Sequence, residues 1–314
     1  MMHAKHISYW NVDQPSRKPF LSLGYAFFLK IVFICGLSIF SSCEKDITVS
    51  LPLPEPKVVV EGHIEPGKAA YVLLTRSSAY FAPVDTQAVI NTIIYGATVV
   101  VSDGINSDTL KQTIDFNFFP SIIYKGNPAK LAGVVGKTYS LTVHADGKVL
   151  TGSTLMRAPV QLDSTWFKLQ PPSDSLGFAW ARLTDPAGFG NQYRWFAKRI
   201  GKDNNFIAPL GSAFDDKFID GKSFDFAYDR GIEFNSTKTD DSNEERGFFK
   251  KGDKIVVRFC TIDKASYDFY RSFETDAASN GNPFAAPSSV KTNIKGGLGV
   301  WGAYTPTYDT IIAK

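Results

Sequence analysis

Along most of this chain apolar and polar residues alternate in short runs, separated by Gly, Pro, Asn and Asp. Such runs occupy Lys57–Ile64 (KVVVEGHI), Ala69–Ser77 (AAYVLLTRS), Ala97–Gly104 (ATVVVSDG), the stretch around Phe116–Tyr124, and Thr138–Met156 (TYSLTVHADGKVLTGSTLM). A period of two turns one face of each run to a core and the other to water, and regular strand-turn spacing predicts a β-sandwich. Asp146-Gly147 lies between two such runs, where a pair with positive φ within reach makes the tight hairpin turn that matches strand twist. Asp103-Gly104 offers a second turn of the same kind.

Met156–Val160 passes from one strand group to the next, which places a domain boundary near 160. The chain is therefore expected to be mainly β. Residues 57–160 would form an immunoglobulin-like sandwich, and 161–314 a second β-rich, fibronectin- or sandwich-like domain with one short helix. Strand candidates in the second half are Leu176–Leu183, Gln192–Arg199 and Lys254–Thr261. The helix is expected over Asp263–Glu274, which opens on a capping Asp and holds no Gly or Pro. Phe269, Tyr270 and Phe273 stand at helical spacing there and predict a stripe buried against a sheet.

The N-terminus has another pattern. Arg17 and Lys18 precede an apolar stretch, Lys30 interrupts it, and IVFICGLSIF runs from Ile31 to Phe40. Read as a membrane span of the necessary ~20 residues, this would bury Lys30 at mid-bilayer. Read as a signal peptide over 1–42, it has the usual order of basic region, apolar core and small residues. Phe40-Ser41-Ser42-Cys43 resembles a bacterial lipobox, with Ile39 or Phe40 where Leu is usual. By that resemblance Cys43 would be lipidated, and acyl chains worth ~0.8 kcal/mol per buried CH₂ would anchor the protein without spanning the membrane. Residues 43–56 read as a tether. Glu44-Lys45-Asp46 resembles a surface-export signal and would serve equally as a polar spacer, while LPLPEP (51–56) is stiff and extended.

Charge then changes meaning. The 314 residues carry a net +3, but Lys5, Arg17, Lys18 and Lys30 against Asp13 account for all of it. The chain from Cys43 onward is neutral, with no cluster of Lys and Arg of the sort that displaces counterions from a phosphate backbone, so nucleic acid is not an expected partner. With 14% aromatic residues, the body leans to β structure and to recognition by shape.

Candidate chemistry is sparse. Beyond residue 42 only His63 and His144 remain, and beyond Cys43 only Cys260, in a run that reads as a buried strand. That is too few for a zinc site. No Gly-x-Ser-x-Gly elbow occurs, and Gly221-Lys222-Ser223 has Asp216 where a phosphate-binding loop needs glycine. Asp215/Asp216, Asp225/Asp229 and Glu244/Glu245 could supply the two acids of a glycoside hydrolase or a calcium ligand set, although acids in such a polar segment are expected to be solvated. No catalytic, cofactor or metal residue is expected. Near the C-terminus Gly296, Gly297, Gly299 and Gly302 surround Leu298, Val300 and Trp301. These glycines fit either an edge strand packed on another backbone or a segment presenting Trp301 and Tyr304 to a ligand or partner.

Taken in order, CEKDITVSLPLPEPKVVVEGHIEPG, VLLTRSSAYF, ASYDFYRSFE and GNPF…NIKGGLGVWGAY resemble domain-of-unknown-function family 4249 of Bacteroidetes lipoproteins over about residues 43–304. The resemblance implies an outer-membrane lipoprotein whose gene often lies beside a TonB-dependent receptor, and it carries over no catalytic residue. The expectation is a non-enzymatic accessory or cargo-binding partner of a TonB-dependent transporter, held on the outer membrane through Cys43 and with a cell-surface position open. The alternatives are a glycan- or protein-binding adhesin, and a carbohydrate-active enzyme that uses the acidic segment.

Overall fold

A computed structural model describes residues 55–78, 85–233, 236, 238–279 and 289–314. The signal, Cys43, almost all of the tether and the GNPFAAP stretch (281–287) lie outside the described residues. Residues 54–314 make up one compact unit.

The strands, in chain order, are β1 (Val58–Ile64), β2 (Tyr71–Arg76), β3 (Thr98–Ser102), β4 (Ser107–Thr109), β5 (Lys111–Ile114), β6 (Ile122–Lys125), β7 (Thr138–Ala145), β8 (Lys148–Leu155) and β9 (Ser164–Leu169). They continue with β10 (Leu176–Thr184), β11 (Gln192–Arg199), β12 (Ala213–Asp215), β13 (Ser223–Tyr228), β14 (Phe249–Lys250), β15 (Lys254–Ile262), β16 (Leu298–Ala303) and β17 (Thr305–Ile312). Among the described residues, helix α1 (Thr86–Thr92), helix α2 (Lys264–Ser279) and one 3₁₀ turn at Thr239–Asp241 complete the set. The protein is mainly β, as its alternating runs predict.

Two sheets enclose the first core. One has the order β16-β1-β2-β6-β5 and the other β4-β3-β7-β8. Alternation sets which residues face inward: Tyr139, Leu141, Val143 and Ala145 of β7 are buried while their neighbours are more accessible. The β7–β8 hairpin turns at Asp146 (φ 50) and Gly147 (φ 70), and Arg76 grips the Asp146 carboxylate at 2.7 Å through two nitrogens.

The second core lies between a sheet built around β10, which pairs β9, β13 and β14, and the sheet β12-β11-β15-β17. Strands β11 and β15 are buried almost throughout, because both of their faces are covered. Tyr193, Trp195, Ala197, Val257 and Phe259 point into this core, where each large apolar side chain contributes about 1.5–3 kcal/mol. Phe196, Cys260 and Ile262 point the other way and form a third cluster with Tyr270 of α2 and with Val300 and Tyr304.

The boundary expected near 160 falls between β8 and β9. The chain also crosses back: β16 pairs in parallel with β1, with Val59 opposite Leu298, and its Trp301 and Ala303 belong to the first core. One residue later the chain enters β17, which pairs with β15 beside the second core. This explains the glycines. Gly299 sits at φ +105, and a Cβ there would lie 1.8 Å from the Val60 carbonyl oxygen. The segment is thus an edge strand pressed on another backbone.

Helix α2 starts at the expected cap, where Asp263 Oδ1 accepts from the Ser266 N–H, and runs five residues beyond Glu274. Helix α1 is an addition to the single expected helix. Its seven residues carry no apolar period, and the Asp85 cap, accepting from the Ala88 N–H at 2.7 Å, was its one local signal.

Candidate functional site

The outer face of β1 and the outer face of β11 and β15 meet beneath α2, and a cavity of about 830 Å³ opens at that junction. On β1 the alternation that sends Val58, Val60 and Ile64 inward sends Glu61 and His63 to the cavity. On the opposing sheet Arg194, Phe196 and Arg258 face the same space. Phe269, Tyr270 and Phe273 line it from the helix, so the stripe expected to be plain core is largely a cavity wall, with Phe273 49% exposed. Tyr71, Phe118, Phe206, Tyr304 and Tyr308 make the lining strongly aromatic. The volume and the mix of rings with a few polar groups are those of a small-molecule site.

A polar cluster joins the two walls. His63 Nε2 lies 3.3 Å from Glu65 Oε1, Arg258 Nη2 donates to the same oxygen at 2.7 Å, and Lys68 Nζ donates to the other at 2.9 Å. The His63 ring packs edge-on against Tyr71 and Tyr304, with centroids 4.1 and 4.6 Å away. Burial lowers the imidazole to about 4 despite its hydrogen bond to Glu65, so at neutral pH it is uncharged and donates to the carboxylate. Burial would raise Glu65, but the bond from His63 and the charge of Arg258 hold it at about 2. Glu61 is accessible, and desolvation by its surroundings raises its carboxyl against the pull of Arg194.

Two acids driven apart in this way could serve as acid and base in an enzyme. Here Glu65 is committed within the wall, with His63 Nε2 3.3 Å from its carboxylate. Glu65 is moreover taken up by Arg258 and Lys68.

Arg194 is placed differently. Its Nη1 donates to Tyr304 Oη at 2.8 Å, and its guanidinium carbon lies 3.4 Å from the Tyr270 ring centroid and 4.8 Å from that of Phe196. Its Nε is enclosed and donates to nothing.

Of the two expected contact residues, only Tyr304 reaches this place. Trp301 is 0% exposed, and its indole N–H donates to the Tyr139 carbonyl inside the first core, so the expectation that it meets a ligand is corrected. The reason is alternation: Val300 and Gly302 turn to the α2 side, where a Gly302 Cβ would meet Ser266, while Trp301 and Ala303 point into the first core. Cys260 is buried, and burial pushes its thiol up to about 11. His144 is on β7, away from the cavity.

The acidic segment is not uniformly solvated, as it was expected to be. Asp203 and Asp240 clasp the buried Arg199 at 2.7 and 2.5 Å, and Asp241 meets the buried Arg230 at 2.6 Å. Asp225 is held by Arg182 on the surface. Asp185, Asp216 and Asp220 bring carboxylate oxygens within 4.8 Å of one another, yet each accepts from backbone N–H groups of the surrounding loops. Those bonds account for the cluster as loop architecture. No helix among the described residues is long and apolar enough to cross a membrane.

The sequence model of a family described as a domain of unknown function (DUF4249) matches residues 44–310. No curated protein matches the chain. Among solved structures, a segment of two fibronectin type III domains from chicken tenascin is similar over 66% of this chain and 90% of its own. Identity is 14% and the TM-score 0.19, too low for that likeness to carry an argument.

Proposed function

This chain belongs to the DUF4249 family, to which residues 44–310 match, and on that footing we propose that it is a lipid-anchored, non-enzymatic binding protein. Cys43 would hold it on the outer membrane, and the cavity beneath α2 would capture a small ligand on behalf of a neighbouring TonB-dependent transporter. The observation that carries the reading is the cavity itself: about 830 Å³, aromatic-walled, with charged and polar groups brought in by β1, β11 and β15. The anchor is supported by the lipobox-like Phe40–Cys43, and the transporter by the setting that the family resemblance implies.

Native mass spectrometry of the full chain, extracted from its own membranes, is expected to show a bound small molecule that Tyr270→Ala loses. A wild type that is always empty, whatever the extraction, would overturn ligand capture. Replacing Cys43 with Ala should move the protein from the membrane to the soluble fraction. Affinity purification that recovers the anchored protein with no transporter would remove the accessory role.

A surface adhesin is the second reading. Ile114, Phe116 and Phe119 favour it, being 61%, 88% and 70% exposed around a single turn between β5 and β6. Phe116→Ser would then abolish binding to cells or glycans and leave ligand capture untouched.

A further inference from the structure

The cavity's charges do not balance locally, and the imbalance names a ligand chemistry. The buried arginines of this protein meet carboxylates: Arg199 has Asp203 and Asp240, Arg230 has Asp241, and Arg258 has Glu65. A guanidinium withdrawn from water needs such a partner, because desolvation costs several kcal/mol per ion. Among the other cations lining the cavity, Lys68 shares Glu65 and Lys291 lies 3.8 Å from Asp268. Arg194 has no carboxylate partner among the described residues. It has a phenol, two aromatic rings and an Nε with no acceptor.

That stacking fixes the guanidinium plane with no carboxylate in direct contact, Glu61 and the buried Glu274 acting on it only from farther off. Arg76 and Arg182 show what such a group accepts elsewhere in the molecule, each gripping one carboxylate through Nε and Nη2. Glu61 faces the same space without an ion pair to Arg194, and desolvation raises its carboxyl against the pull of that arginine. No carboxylate of the wall opposite therefore closes on the guanidinium. Around it Phe196, Phe206, Phe269, Tyr270 and Phe273 offer ring faces and edges to an apolar body.

We propose that the cavity binds an amphipathic anion, with a flat or ring-bearing apolar body against the aromatic walls and a carboxylate-class oxyanion on Arg194. The inference rests on the ligand-binding reading above and adds the chemistry of the ligand. Arg194 is the specificity determinant, and Tyr304 is a positioning residue that acts through the Nη1 hydrogen bond.

The test uses the full chain in lipid nanodiscs, with empty nanodiscs as the blank, and calorimetric titration with two probes of one shape: biphenyl-4-carboxylate and the neutral biphenyl-4-carboxamide. The carboxylate should bind at least tenfold more tightly. In Arg194→Met that preference should vanish, the two probes binding within about twofold of each other, and an unchanged cooperative unfolding transition should show that the variant is folded. Arg194→Lys should recover part of the preference. Equal affinity of the wild type for both probes, or a preference that survives Arg194→Met, overturns the inference and leaves the cavity reading standing. Binding of neither probe overturns both.

Discussion

Arg194 and Arg199 stand five residues apart on one strand and meet opposite fates. Arg199 is 2% exposed and closed by two aspartates, whereas Arg194 is stacked on rings with no carboxylate against it. Breaking a buried pair strands the surviving charges, so Arg199→Met should cost about 3–5 kcal/mol in denaturant unfolding. Arg194→Met removes a charge that no carboxylate meets directly and should change the stability of the empty protein by no more than about 1 kcal/mol. A comparable loss in both variants would refute the distinction.

His63 supplies a pH dependence. Because its folded value is near 4 and its ordinary value 6.5, the unfolded chain binds the extra proton between them, and stability falls as pH drops through that window. The loss approaches roughly 3 kcal/mol at pH 4. Glu65, also depressed, adds to it from its ordinary range down towards pH 2. The charged groups acting on His63 are Glu65, Arg258 and Arg194. His63→Asn should flatten Tm against pH between 6.5 and 4, and an unchanged slope would reassign the dependence. None of this was legible in the sequence, where His63 was one of two leftover histidines. Only the fold brings Arg258, far along the chain, to Glu65.

At the scale of elements, what could be read was local. The β7–β8 hairpin followed from Asp146-Gly147 between alternating runs, and α2 from its capping Asp263 and its freedom from Gly and Pro. The aromatic stripe gave the helix away but not its role, because periodicity shows which residues share a face and not what that face meets. The β1–β16 pairing escaped for a related reason: it joins residues about 240 positions apart. Gly299 is its most sensitive point. Gly299→Ala combines an unfavourable φ with a collision against Val60, and should cost about 3 kcal/mol or more or prevent folding. Gly252→Ala, at φ +96 with open space around it, is the control and should be mild, about 1 kcal/mol.

For the molecule as a whole, β16 and β17 bind the two cores into one body. The first core holds Trp301 and the second Trp195, with Tyr304 between the strands and hydrogen-bonded to the Ile64 carbonyl. Asp263 adds a second tie by accepting from Thr154 of β8. Unfolding should therefore be a single transition. Variants that keep only Trp195 or only Trp301 as fluorescent reporter should give coincident denaturant midpoints, and midpoints that separate would mean the sandwiches melt independently.

The late position of β16 also bears on timing. Until residues 298–303 have been synthesised, β1 has no parallel neighbour and the first core lacks Trp301. Contacts so distant in sequence form slowly. A chain built in this order stays unfinished while most of it is made, and that is the state in which a polypeptide can still be threaded through a narrow channel before it folds on the far side.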